Sequence, residues 1–119
     1  MHTRPRTVTE HIRAHLLRET PTIAELRESE WCHDFEELQR NRLIVGAFRY
    51  GRLGDPNKPQ YDRCVAMTSR LGKYRETGNT EFLVDIANLA MLEFVEGTHP
   101  NKHFAATDGD DAEHVNVIE

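Results

Sequence analysis

Apolar residues recur along this chain at helical spacing, and no stretch alternates in the two-residue rhythm of a strand. Ile12, Leu16 and Leu17 mark a short helix over about 8–18, which Thr20-Pro21-Thr22 breaks. Thr22 and Glu25 have the spacing of a capping box and open a second short helix to about residue 31. Asp34 and Glu37 repeat that signature. The helix they predict runs to about Tyr50, offers Leu38, Leu43, Ile44, Val45, Ala47 and Phe48 to a core, and stops at Gly51. Residues 51–60, with Gly54-Asp55-Pro56-Asn57-Lys58-Pro59, read as a loop. A helix over 61–74 would bury Val65, Met67, Leu71 and Tyr74, and Thr77-Gly78-Asn79 turns the chain into a last helix ending near Gly97. The reading is all-α: three long helices after short N-terminal ones, in a single domain over 1–104 with its core at 34–97. Residues 105–119 form an acidic tail that is loose unless Val115, Val117 and Ile118 dock.

The last helix is apolar on nearly every side, through Phe82, Leu83, Val84, Ile86, Leu89, Met91, Leu92, Phe94 and Val95, which predicts that it lies among other helices. Its polar exceptions are Glu81, Asp85 and Asn88. At about 100° per residue these positions share an arc of roughly 60°. Either Asn79 or Thr80 can cap the helix, and Glu81 then suits the positive end of its dipole. Asp85 sits too deep for that effect. A carboxylate turned inward needs a metal ion, a basic partner or a raised pKa, because an unpaired buried charge is prohibitively costly.

Composition narrows the classes. The 119 residues suit one domain with a modest core. A net charge of −5 argues against a nucleic-acid partner, although the basic residues concentrate in the first two thirds, which allows a locally basic pocket. Two cysteines, Cys32 and Cys64, do not make a disulfide framework. With neither a signal peptide nor a long apolar span, the expectation is a cytoplasmic protein away from membranes.

Carboxylates that bind Mg²⁺ usually share it with phosphates and water in octahedral geometry, so a second acidic source must face Asp85. Glu37, on one face with Asn41, Ile44 and Phe48, is the candidate, with a cap as its structural alternative. Glu25 and Glu28 form a Glu-x-x-Glu pair on the short preceding helix, where Arg27 and Glu30 favour a solvated face. Arg40, Arg49, Arg70 and Lys73 could meet phosphate oxygens, and Tyr50 could stack on a base. His99 and His103 are spaced to share a metal with Cys32-His33 or Cys64, but Pro100 opposes a helix there and no paired-cysteine motif supports zinc. Neither Cys64 nor Ser69 lies in a nucleophile motif.

The segments 41–51 (Asn-Arg-Leu-Ile-Val-Gly-Ala-Phe-Arg-Tyr-Gly), 74–81, 83–88 and His99-Pro100-Asn101-Lys102-His103-Phe104 resemble small proteins of phages and mobile elements. More loosely, the two long helices resemble the MazG-like all-α nucleoside triphosphate pyrophosphohydrolases, including the phage dATP/dGTP diphosphohydrolase type. That resemblance implies a helical bundle, often dimeric, that holds Mg²⁺ (or Mn²⁺) on Glu-x-x-Glu and Glu-x-x-Asp motifs and cleaves a (deoxy)nucleotide between its α and β phosphates. Carried over, Asp85, Glu81 and Glu37 would be the metal-binding and catalytic residues, and Arg40, Arg49, Tyr50, Lys73 and Asn88 would hold phosphate or base. The sequence departs from the pattern in two places: Glu81 to Asp85 is one residue wider than Glu-x-x-Asp, and Arg40 stands where a second glutamate should follow Glu37. The rival expectation is a non-enzymatic binding or assembly module on the same fold, as a homodimer or higher oligomer, in which the acids pair with arginines. An arginine lodged against Asp85 favours the module, and an intact second acidic pair beside it favours the enzyme.

Overall fold

Side chains that satisfy free amides set most of the helix starts. The computed structural model describes residues 5, 7–16 and 19–107, and these form five α-helices and no strand. In α1 (Val8–His15), Thr7 and Glu10 cap each other's backbone N–H. The same exchange between Thr22 and Glu25 opens α2 (Ile23–Ser29), at 3.1 and 3.2 Å. The Thr22 amide, and secondly its hydroxyl, hold the Glu25 carboxyl below its ordinary pKa. This helix stops two residues short of the expected end: the Ser29 hydroxyl turns back onto the Glu25 carbonyl, and Trp31 leaves to donate its indole N–H to Glu36 at 3.1 Å.

Asp34 does not cap the next helix. Cys32 does, its Sγ accepting from the Phe35 amide, so α3 (His33–Tyr50) starts one residue earlier than Asp34 and Asp34 falls within its first turn. Gly51 ends α3 at φ 96°, where a Cβ would lie 2.8 Å from Asp55 Oδ2. Only glycine is comfortable there. The loop beyond is tied by Asp55 Oδ1, which accepts from the Asn57 amide, and by Lys58, which donates to the Gly51 carbonyl. Asp62 caps α4 (Arg63–Thr77), accepting from Val65 at 3.0 Å, and this delays the start from 61 to 63. Gly78, in the left-handed region at φ 73°, closes α4. In α5 (Glu81–Glu96) Thr80 holds the cap position without using its side chain, while Asn79 Oδ1 accepts from the Glu81 amide.

By contacts the chain divides in two. Glu30–Lys102 form one unit, and the described residues up to Ser29 with those from His103 form the other. Of the sequence expectations, Leu17 and Arg18 at the end of the first helix, and the tail residues Val115, Val117 and Ile118, lie outside the described residues. In the unit of the long helices, α3 and α4 each pack on α5. Val84 and Leu89 of α5 are the buried hydrophobic side chains among the described residues. Many others expected inside are exposed: Leu38, Ile44, Val45 and Phe48 on α3, and Val65 and Leu71 on α4. α3 accordingly has two apolar sides. Phe35, Leu43 and Gly46 lie on its half-buried side, while Leu38, Ile44, Val45 and Phe48 form a stripe on another. No helix among the described residues is long and apolar enough to cross a membrane.

Candidate functional site: an arginine-bound carboxylate beside a basic cavity

The polar face of α5 sinks progressively into the structure. Glu81 in the first turn has a side chain 52% exposed, Asp85 one turn on 15%, and Asn88 is buried with 6% of its surface exposed. What each meets follows that gradient. Glu81 pairs at 3.3 Å with Arg42 of α3. Asp85 is held on both oxygens: Arg42 Nε donates to Oδ1 at 3.2 Å, and Arg70 Nε of α4 stands 3.6 Å from Oδ2. Asn88 exchanges two hydrogen bonds with one residue of α3, its Nδ2 donating to the Gln39 carbonyl at 3.1 Å and its Oδ1 accepting from the Gln39 side chain at 3.4 Å. A carboxylate and a carboxamide in the middle of an apolar helix are thus satisfied by the two helices on either side, as buried polar groups must be. Coulomb attraction between Asp85 and its arginines is tempered by water, because both guanidinium side chains remain over one third exposed.

This donor set does not fit a divalent cation. Glu81 and Asp85 already share Arg42, a second arginine covers Asp85, and the Glu37 side chain is exposed. Among the described residues no three His, Cys, Asp or Glu side chains gather where a metal could bind them. Cys32 serves as a helix cap, and His99 Nδ1 accepts from the Asn101 amide across the Pro100 turn. Glu25 remains tied to its own helix start.

The network forms one wall of a cavity of about 490 Å³ between α3, the loop after it, α4 and α5. Arg42, Arg49, Arg52, Lys58 and Arg70 line it against the single carboxylate of Asp85. Tyr50 and Tyr61 contribute rings, and Leu53, Leu89 and Leu92 an apolar floor. Among the described residues the Lys58 ammonium bonds only a neutral carbonyl, that of Gly51. The side chains of Arg49 and Arg52 make no ion pair or hydrogen bond with any described residue. Of the residues expected to hold phosphate or base, Arg49, Tyr50, Arg70 and Asn88 line this cavity. Arg40 is instead drawn along its own helix to Glu36, and Lys73 sits 5.9 Å over the Phe82 ring. Gln39, Arg42, Arg52, Lys58 and Tyr61 belong to the site without having been singled out. Only for Arg42 does the sequence hold a usable signal, a basic residue on the helix that would flank Asp85.

A second ion-pair cluster joins the far ends of α4 and α5. Arg63 meets Glu93 at 3.4 Å and Glu96 at 2.5 Å and lies 5.9 Å over the Tyr61 ring. Its burial works to lower the guanidinium pKa, but the hydrogen bonds it donates to Glu96 and Glu93 outweigh that and raise it. These acids stand at the negative end of the α5 dipole, where they need such a cation.

In comparisons with known proteins, no family model, no curated protein and no solved structure matches the chain.

Proposed function

We propose that this chain is a non-enzymatic binding and assembly module, an accessory protein of phage or mobile-element type acting in the cytoplasm. One observation carries the reading: both oxygens of Asp85 face arginines from two other helices, so the acids on α5 act as internal counter-ions. Such a pairing joins three helices and already compensates the charge that a metal would otherwise neutralise. A second reading, a MazG-like bundle acting as a Mg²⁺- or Mn²⁺-dependent (deoxy)nucleoside triphosphate pyrophosphohydrolase, draws support from the cation-rich cavity beside it. Incubation with each common nucleoside triphosphate in Mg²⁺ and in Mn²⁺ separates the two. The module predicts no pyrophosphate or monophosphate above an Asp85→Ala control, and metal-dependent release that this variant abolishes would overturn it.

Assembly is supported by the outer face of α3. Leu38, Ile44, Val45 and Phe48 form an apolar stripe there, with Phe48 91% exposed. Burying such a stripe against the same stripe of a second copy would return about 25 cal/mol for each Å² of apolar surface removed from water. Light scattering after size exclusion should therefore find a dimer or larger species. Phe48→Glu should shift it to monomer at the same concentration while keeping the helical spectrum, and a wild type that is monomeric at high micromolar concentration would remove the homo-oligomer from the proposal.

A further inference from the structure

From the cavity beside Asp85 we infer a metal-independent site for a chain of phosphates, carried by a small molecule. The inference rests on the reading of the chain as a binding module and gives that module a ligand class. The protein as a whole has a net charge of −5, yet five cationic side chains converge on this one concavity around one carboxylate. Like charges so placed repel one another, and a polyanion is the ligand that relieves them. Arg49 and Arg52 are unengaged with any described residue, so binding there breaks no existing pair. Asp85 acts as a positioning residue. It takes Arg42 and Arg70 by their Nε atoms, and this leaves Arg42 Nη1 and Arg70 Nη2 without a partner among the described residues. Each guanidinium fixed in this way keeps one nitrogen that can donate to a phosphate oxygen. The volume, about 490 Å³, falls within the range of small-molecule sites.

Four arginines and a lysine supply the neutralising charge that a divalent ion brings to phosphates elsewhere, so metal and protein should compete for the ligand. Both sources of a phosphate chain can be tested as inorganic tripolyphosphate and ATP, by calorimetric titration of the full chain in EDTA and again with excess Mg²⁺. The expected result is binding of at least one of them in EDTA, weakened several-fold by Mg²⁺ and by added salt. The double variant Arg49→Ala/Arg52→Ala should bind at least about 10-fold more weakly, and Arg75→Ala, on α4 but outside the cavity, should bind as wild type. Tyr50→Ala assigns the source: a loss for ATP alone identifies a nucleotide, and an equal affinity for both probes in wild type and variant identifies the bare phosphate chain. Absence of binding by both probes in EDTA, or wild-type affinity in the double variant, would overturn the site while leaving the module reading intact. Turnover of ATP in Mg²⁺ would overturn the module reading instead.

Discussion

Leu89→Ala should lower the stability of the long-helix unit by about 2–3 kcal/mol, the lower part of the range for buried leucines. Leu89 is 5% exposed and is one of two buried hydrophobic side chains among the described residues, so the loss falls on a core with little in reserve. It stays at the lower end because Leu89 also borders the basic cavity, and water can enter part of the space that truncation leaves. For a domain of this size the melting temperature should fall by about 10–20 °C. Thermal unfolding followed by circular dichroism checks this. A drop of only a degree or two would mean that α5 is held mainly by contacts other than its buried seam.

The second large effect is one of sign. Asp85→Asn keeps the size and shape of the side chain but removes the charge that Arg42 and Arg70 share. We expect a loss of about 1–2 kcal/mol, moderate because both arginines reach water and Arg42 keeps Glu81. A pair of carboxylates awaiting a metal would behave oppositely: in metal-free buffer the asparagine would relieve their repulsion and stabilise the protein. Denaturant melts of both proteins in EDTA therefore distinguish an ion-pair joint from an empty metal site. In the former the deficit should shrink as salt rises, and a double-mutant cycle with Arg70→Met should show coupling at the same locus. A more stable Asp85→Asn in EDTA would count against the arginine-bound arrangement.

Helix boundaries were largely readable because they depend on neighbours in sequence. Thr22 with Glu25, Gly51, and the turn at Thr77-Gly78-Asn79 each act within a few residues, and they fall where the sequence reading puts them. Misreadings arose where two local signals compete, as at Cys32 and Asp34 before α3 and at Tyr61 and Asp62 before α4. Burial was less legible. Periodicity shows which side of a helix is apolar, but the covering surface has to come from elsewhere, so Ile44, Phe48, Val65 and Leu71 fit the pattern of core residues and remain exposed in the single chain. The site was legible by half. Spacing placed Glu81, Asp85 and Asn88 on one face, but their partners Gln39, Arg42 and Arg70 come from 15 to 49 residues away, and no local pattern assigns them to those acids until the helices pack.

The reciprocal amides of Gln39 and Asn88 have a bearing on how α3 lies along α5. Apolar ridges slide past one another at little cost, and several axial alignments a helical turn apart would bury similar oily surface. Displacing α3 by one turn, about 5.4 Å, would offer Asn88 another backbone carbonyl but put Phe35 or Leu43 where Gln39 stands, leaving Asn88 Oδ1 without its donor. Beside the Arg42 ion pairs between the same helices, this contact favours one registry, much as a lone asparagine does in a coiled coil. Replacing both residues by leucine should preserve or even raise thermal stability. The cost would appear as several coexisting helix alignments, visible as multiple amide resonances for residues of α3 where the native protein shows one set.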